Sequence, residues 1–189
     1  MDGGVRDLSP AYFAMVMATG IVSIALDQQD LRAAAIALFV VNIAAYATLW
    51  ALTLLRIVRY PRQVFSDLVD HVRGPGFLTI VAATGVLGAQ LVVLWQGYEW
   101  AMPLWFLSIA LWIGLTYSIF TGLIIKQDKP TLAEGITGAW LMAIVATQAI
   151  AVLGAQMAAH FEQPSRLHIN FLALSMWLWG GRLYIWMIS

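Results

Sequence analysis

Hydrophobic residues along the chain fall into six long runs that are separated by short polar stretches. An α-helix needs roughly 20 apolar residues to cross about 30 Å of hydrocarbon, and each run is close to that length. The runs are continuous and do not alternate strictly between apolar and polar positions, which is typical of helices and not of barrel strands. The sequence therefore predicts six transmembrane spans, at residues 8–26, 31–58, 77–95, 100–125, 138–159 and 167–188.

The connections between the runs are too short to hold a soluble domain. We therefore expect an all-α polytopic membrane protein with a single transmembrane domain over residues 1–189, built from three tandem helical hairpins at about 8–58, 75–125 and 138–188. The composition agrees, because 61% hydrophobic residues, 11% charged residues and a mean hydropathy of +0.81 are too apolar for a soluble domain of this size. The chain has no cysteine, which excludes disulfides, thiolate metal sites and cysteine catalysis.

A short pattern of alanine, threonine and glycine occurs in the first span of each predicted hairpin. It reads "MVMATGIVS" at residues 15–23, "TIVAATGVLG" from Thr79 and "AIVATQAIAV" from Ala143. When the copies are aligned on their Ala-Thr pairs they lie 65 and 63 residues apart, and Pro10, Pro75 and Gly138 occupy the same offset. The repeating unit is therefore a two-helix hairpin.

Each copy of the pattern places hydroxyl-bearing and small residues along one side of its helix. Spacings of four, three and four residues put Tyr12, Val16, Thr19 and Ser23 on a single face. The second, fourth and sixth spans are richer in bulky Leu, Trp and Ile, which suits contact with lipid. We therefore expect the first, third and fifth spans (the inner spans) to be surrounded by the second, fourth and sixth (the outer spans).

Two interpretations of this face compete. Small residues let membrane helices approach closely, and threonines bond to backbone or across the interface. Alternatively, the face lines a conduit in which hydroxyls hydrogen-bond a dehydrating solute. Restriction of the pattern to the inner spans favours the conduit, whose face carries Thr19, Ser23, Thr84, Gly88 and Thr147.

The net charge is zero, but the basic residues are distributed unevenly between the two sides of the membrane. Seven of them lie on the side of the amino terminus (Arg6, Arg56, Arg59, Arg62, Arg73, Lys126 and Lys129), and two lie on the other side (Arg32 and Arg166). The positive-inside rule then predicts a cytoplasmic amino terminus in an integral protein of the plasma (inner) membrane. Trp95, Trp100 and Trp105 are expected near the outer interface, where indole rings are common.

The candidate conduit carries no charged side chain, so a cation would meet no fixed countercharge within the membrane. An anion would instead meet helix N-termini, each with about half a positive charge and free amide groups. Ser9-Pro10 is typical of an N-cap followed by a first-turn proline, and Gly74-Pro75 and Thr137-Gly138 stand at the equivalent places.

Several arginines near that end would raise the local anion concentration, namely Arg56, Arg59, Arg62 and Arg73. The same arginines are also sufficiently explained as topology signals. Arg182, near the cytoplasmic end of the sixth span, either snorkels to the interface or binds an anion.

Nothing in the sequence points to catalysis or to a cofactor. His71 is predicted on the cytoplasmic side and His160 and His168 on the other, so the three cannot converge on one metal ion. No grouping of serine, histidine and acid is typical of a protease. We expect no enzyme activity, no metal, no cofactor and no nucleic-acid partner.

Four blocks in the same order resemble the tellurite-resistance/C4-dicarboxylate transporter family: "LSPAYFAMVMATGIVSIA", "LRIVRYP", "DLVDHVRGPGFLTIVAATGVLGAQ" and "KPTLAEGITGAWLMAIVATQAIAVLGA". That family also includes malate permeases, sulfite efflux pumps and plant slow anion channels. The resemblance implies helical hairpins around a central pore, inner helices lining it, assembly as a trimer, and passive or proton-linked movement of anions. The chain supplies the first three of the five hairpins that the resemblance implies, so no gate residue is transferred. The resemblance implies pore-lining roles only for positions of the inner spans, which are Thr19, Gly20, Ser23, Thr84, Gly85, Gly88, Thr147 and Gln148. Gln148 replaces the glycine of the other two copies and would narrow the path or coordinate the solute.

The sequence as a whole predicts transport of small anions along a channel-like or carrier pathway lined by the inner spans. The candidate solutes are C4-dicarboxylates such as malate, or inorganic oxyanions such as tellurite or sulfite. The alternative is a non-conducting membrane subunit, or a truncated remnant, that packs with partner helices. In either case the expected partners are the lipid bilayer and further copies of the chain.

Overall fold

The computed structural model describes residues 2–125 and 137–188, which contain eight α-helices. In chain order these are α1 (Asp2–Arg6), α2 (Phe13–Gln28), α3 (Arg32–Arg59), α4 (Pro61–Leu68), α5 (Leu78–Trp95), α6 (Tyr98–Ile125), α7 (Leu141–Ala158) and α8 (Ser165–Ile188). All but the short α1 and α4 belong to segments long and apolar enough to cross a membrane. The six predicted spans are confirmed, with bounds that shift by a few residues.

Each inner span begins with a single 3₁₀ turn, at Pro10–Tyr12, Gly74–Phe77 and Gly138–Trp140. The α-helices that follow start 65 and 63 residues apart, which equals the spacing of the sequence copies. Prolines suit these first turns because their fixed φ already matches the helix. Ser9 caps the first turn, since its Oγ accepts a hydrogen bond from the Ala11 amide at 3.3 Å.

The helix α5 lies at the centre of the molecule. Its two sides pack against α2 and α7, while α3, α6 and α8 each pack on the inner span of their own hairpin. In the most apolar 18 residues of each span, 83% of the third, 56% of the fifth and 28% of the first inner span are buried, against 22%, 11% and 11% of the outer spans. The inner spans therefore form a row with α5 in the middle, and the predicted division into inner and outer helices is confirmed.

Glycines set the close approach of α5 to α7. A Cβ atom added at Gly85 would lie 2.9 Å from the Cβ of Ala149 and 3.2 Å from its carbonyl carbon. Gly88 stands directly against the side chain of Leu153. At these two positions small residues serve the contact between helices, as the packing interpretation predicts.

The three tryptophans predicted near the outer interface differ in exposure. Trp95 and Trp100 are 55% and 73% exposed, but Trp105 is only 3% exposed. The indole Nε1–H of Trp105 donates to the carbonyl of Ile150 at 3.0 Å, so this ring joins α6 to α7. Trp105 therefore serves a contact between helices, and its interfacial level stays a prediction. Lys126 and Lys129 of the predicted charge asymmetry lie outside the described residues.

Candidate functional site

The three inner spans enclose a groove of about 390 Å³ along one side of their row. We call it the inner groove; its lining residues are Met17, Ile21, Ile24 and Gln28 of α2, Gly85, Val86 and Ala89 of α5, and Val145, Gln148, Ala149, Val152 and Gln156 of α7. Three of these side chains are glutamines, and the others are apolar. The lining carries no charged side chain, so a cation in the groove would meet no countercharge.

Two of the predicted lining residues, Gly85 and Gln148, lie in the inner groove. The Gln148 Nε2 group donates to the Trp177 carbonyl of α8 at 3.1 Å. A Cβ atom at Gly180 would come within 2.5 Å of that Nε2 atom. Gly180 thus makes room for the amide of Gln148.

The threonines of the second and third copies point away from the groove. Thr84 is fully buried, and its hydroxyl bonds the Ile80 carbonyl at 2.7 Å and the Tyr46 hydroxyl of α3 at 2.9 Å. Thr147 is equally buried, donates to the Ala143 carbonyl at 2.7 Å and accepts the Trp112 indole N–H of α6 at 2.9 Å. The lining role predicted for both does not fit these positions. A hydroxyl in an apolar medium is stabilised by hydrogen bonds to protein groups, and side chains of the outer spans provide them here.

The remaining predicted positions also belong to contacts between helices. Ser23 is buried and donates to the Ala35 carbonyl of α3 at 2.8 Å. Gly20 is buried where α2 meets Val86 of α5, and Gly88 contacts α7 as described above. Thr19 is partly exposed and is not among the residues that line the groove. The structure therefore gathers only Gly85 and Gln148 of the predicted set into one site.

A buried pair of amides between α3 and α5 escaped the sequence reasoning. Asn42 Nδ2 donates to Gln90 Oε1 at 2.6 Å, and both side chains are fully buried. A Cβ atom at Gly20 would lie 3.1 Å from each of these two atoms, so the glycine leaves room for the pair. The sequence did carry a signal for this pair, because Asn42 and Gln90 are the single amide side chains of two apolar runs. Polar residues within membrane spans usually have a structural or functional role.

The N-terminal turns of the inner spans gather at one end of the molecule. Gly76 packs against Pro10 and Ala11, and the Thr79 hydroxyl donates to the Pro10 carbonyl at 2.9 Å and to the Gly76 carbonyl at 2.7 Å. The turn Gly138–Trp140 lies against the turn Gly74–Phe77. Pro10 and Pro75 are both buried in this arrangement. Three helix N-termini thus lie side by side, which concentrates their positive ends.

The arginines near this end differ in how free their charges are. Arg56 is 3% exposed, pairs with Asp67 at 2.5 Å and donates through Nε to the Arg6 carbonyl at 2.9 Å. Arg73 also contacts Asp67, at 3.1 Å, but remains about half exposed. The anion-attracting role predicted for Arg56 is therefore wrong, because its charge is buried and neutralised.

Three further arginines keep their charges free. Arg59, Arg62 and Arg182 are exposed and have no hydrogen-bond or ion-pair partner within the described part of the chain. Among residues 2–125 and 137–188, no group of three His, Asp or Glu side chains is placed to hold a metal ion. The inner groove itself contains no titratable side chain. Its chemistry is therefore limited to hydrogen bonding by amides and contact with apolar groups.

Comparison with known proteins yields one family and several relatives. The family model described as "SLAC1: Voltage-dependent anion channel" matches residues 7–189. Proteins named sulfite efflux pump SSU1 from Arthroderma benhamiae, Trichophyton rubrum and Arthroderma otae are 22%, 22% and 23% identical over 197 aligned positions. These alignments cover 97% of the chain and 51% of each relative, so the chain spans about half the length of the curated relatives it matches. No solved structure is a significant match.

These matches confirm the resemblance to the tellurite-resistance/C4-dicarboxylate transporters. The family model covers nearly the whole chain and agrees with its six apolar helices. The protein is therefore an integral membrane protein that belongs to the SLAC1 family.

Proposed function

We propose that the protein moves small anions across the membrane along the inner groove, with α2, α5 and α7 forming one side of the path. The observation that carries the proposal is the groove itself. It lies where the three repeated helices come together, and it offers amide groups and no fixed charge. The relatives named for sulfite efflux support an anionic solute for this family.

The charges around the groove favour an anion over a cation. Three helix N-termini lie side by side at one end, and unpaired backbone amides there attract anions. Arg59 at the end of α3 and Arg62 at the start of α4 are exposed and raise the anion concentration nearby. Within the groove, amide N–H groups of Gln28, Gln148 and Gln156 are the donors that an anion would use.

Sulfite is the solute to test first, because the relatives carry it in their names. Tellurite and C4-dicarboxylates such as malate are the further candidates that the family resemblance supplies. The proposal includes a cytoplasmic amino terminus, from the seven basic residues on that side against two on the other. Residence in the plasma membrane and assembly as a trimer complete it, both by family resemblance.

The absence of cysteine from the chain makes accessibility labelling a direct test. Ile21→Cys and Val152→Cys place a thiol on the groove at positions that are 52% and 51% exposed. Ile113→Cys is the matched control, since Ile113 is 56% exposed on the outer helix α6. In proteoliposomes, a membrane-impermeant anionic thiosulfonate should modify the two groove cysteines and spare the control, because only the groove would hold water.

The same samples connect labelling to transport. Modification at Ile21→Cys or Val152→Cys should slow sulfite flux at least severalfold, and treatment of the Ile113→Cys protein should leave it unchanged. If modified groove cysteines leave flux intact, the path lies elsewhere.

A second candidate function is a non-conducting subunit that packs with partner helices. Its support is that the hydroxyls of Ser23, Thr84 and Thr147 bond to neighbouring helices and not to a solute path. Absence of flux for sulfite, tellurite and malate from a folded, helical sample would favour the subunit over the transporter.

A further inference from the structure

Arg182 is an arginine on a membrane helix with no countercharge. It is the only charged side chain between Arg166 and the end of α8 at Ile188. It is exposed and makes neither a hydrogen bond nor an ion pair with the described part of the chain. A charged residue within a span is unfavourable unless something outside the helix neutralises it. We therefore expect the Arg182 side chain to bind an anionic partner.

The surroundings of Arg182 form a shallow site on the surface of α8. Together with Trp179, Leu183 and Trp186 it lines a depression of about 240 Å³. Spacings of three and four residues bring these side chains onto one face of the helix. The two indole rings are 48% and 68% exposed, so they remain accessible from outside the protein.

This face is directed away from the protein interior. Gly180 and Ala173 are the buried residues of α8, and Gly180 lies against Gln148 of α7. A residue two positions after Gly180 lies on the opposite side of a helix with about 3.6 residues per turn. Arg182 therefore faces away from α7, and its depression shares no lining residue with the inner groove.

The depth of the site corresponds to the edge of the membrane. Arg182 follows the first residue of α8, Ser165, by 17 positions, or about 26 Å along the axis, against roughly 30 Å of hydrocarbon. An arginine side chain at this depth reaches the headgroups by extending its guanidinium, and indole rings favour the same level. This end of α8 lies beside the start of α7, on the side with the excess of basic residues.

We propose that Arg182, Trp179 and Trp186 bind the phosphate-bearing headgroup of an anionic phospholipid from the leaflet at this end. The guanidinium donates two N–H groups to phosphate oxygens, a geometry that suits arginine better than lysine. The indoles cover the glycerol region and the upper part of the acyl chains. Anionic lipid is the occupant because the depression combines a free positive charge with apolar walls, and the cytoplasmic leaflet is rich in such lipids.

Native mass spectrometry of the purified chain tests the site. The chain is titrated with phosphatidylglycerol or with phosphatidylcholine in the same detergent, and bound lipids are counted from the mass. Arg182→Gln should weaken the tightest phosphatidylglycerol site about tenfold, the factor expected for loss of charge-assisted hydrogen bonds. Arg166→Gln is the matched control, because it removes an exposed arginine from the other end of the same helix. It should change that affinity less than twofold.

A second variant keeps the test informative if the glutamine variant does not fold. Arg182→Lys retains the charge and loses the paired N–H geometry, so it should bind phosphatidylglycerol with intermediate affinity. Equal affinities for the two lipids in the unaltered chain would overturn the proposal. So would equal phosphatidylglycerol affinity before and after Arg182→Gln, or a loss of dimers in place of a loss of lipid, which would assign this face to a second copy. None of these outcomes depends on whether the chain transports anions.

Discussion

Replacing Gly85 with alanine should weaken the contact between α5 and α7. The added methyl carbon would lie 2.9 Å from Ala149 Cβ and 3.2 Å from both atoms of the Ala149 carbonyl. Carbon atoms in contact prefer about 3.5–4.0 Å, so the helices must separate by roughly 0.5–1 Å. Rotation of a side chain cannot relieve this overlap, because the opposing atoms are backbone or a methyl group fixed to it. Overpacking of this kind costs about 1–3 kcal/mol in the free energy of unfolding.

Gly114→Ala supplies the control for this experiment. No atom lies within 4 Å of a Cβ at Gly114, so alanine there changes only the conformational freedom of glycine. Its expected effect is a gain of up to about 1 kcal/mol. Unfolding of both variants and the parent chain is followed by circular dichroism in mixed micelles as the mole fraction of dodecyl sulfate rises. Equal stability of the two variants would refute the assignment of Gly85 to a tight helix contact.

Four further substitutions test the buried polar contacts by the same unfolding measurement. Thr84→Val and Thr147→Val should each cost about 0.6 kcal/mol, the average for a side-chain hydrogen bond within a membrane, and should leave sulfite flux intact; a blocked flux would return these residues to the path. Asp67→Asn should cost about 3–5 kcal/mol because it leaves the buried Arg56 unpaired, and a loss below 1 kcal/mol would contradict the burial of this pair. Gln90→Leu should destabilise the chain by about 1–3 kcal/mol through the stranded amide of Asn42, whereas a neutral effect would argue against their hydrogen bond.

The helices themselves were predictable from the sequence. The bilayer fixes the length of a span, and the repeated pattern fixed the common start of α2, α5 and α7. The division into inner and outer spans followed from the same repeat, because small side chains let the three inner helices pack closely side by side. These features depend on local composition, which a single sequence displays.

The direction of individual side chains was not predictable in the same way. Thr84 and Thr147 lie on a face that would look the same if it lined a conduit or if it met another helix. Tyr46 and Trp112 decide that both threonines meet a helix, because they hydrogen-bond Thr84 and Thr147 from other spans. Nothing in the sequence identifies these two residues as the partners. Likewise, the sequence alone does not distinguish Arg56 from other basic residues at the ends of spans, because it does not show the ion pair with Asp67. Long-range pairings of this kind require the packing of the helices.

Three side-chain hydrogen bonds within the membrane join an outer span to the inner span of the next hairpin, namely Asn42–Gln90, Tyr46–Thr84 and Trp112–Thr147. A ribosome delivers α3 before α5, so Asn42 enters the lipid while its partner is still unsynthesised. An amide without a partner in hydrocarbon is unfavourable, and the arrival of α5 removes that penalty. Membrane insertion should therefore proceed hairpin by hairpin from the amino terminus, and each new inner span should pack on the outer span inserted before it.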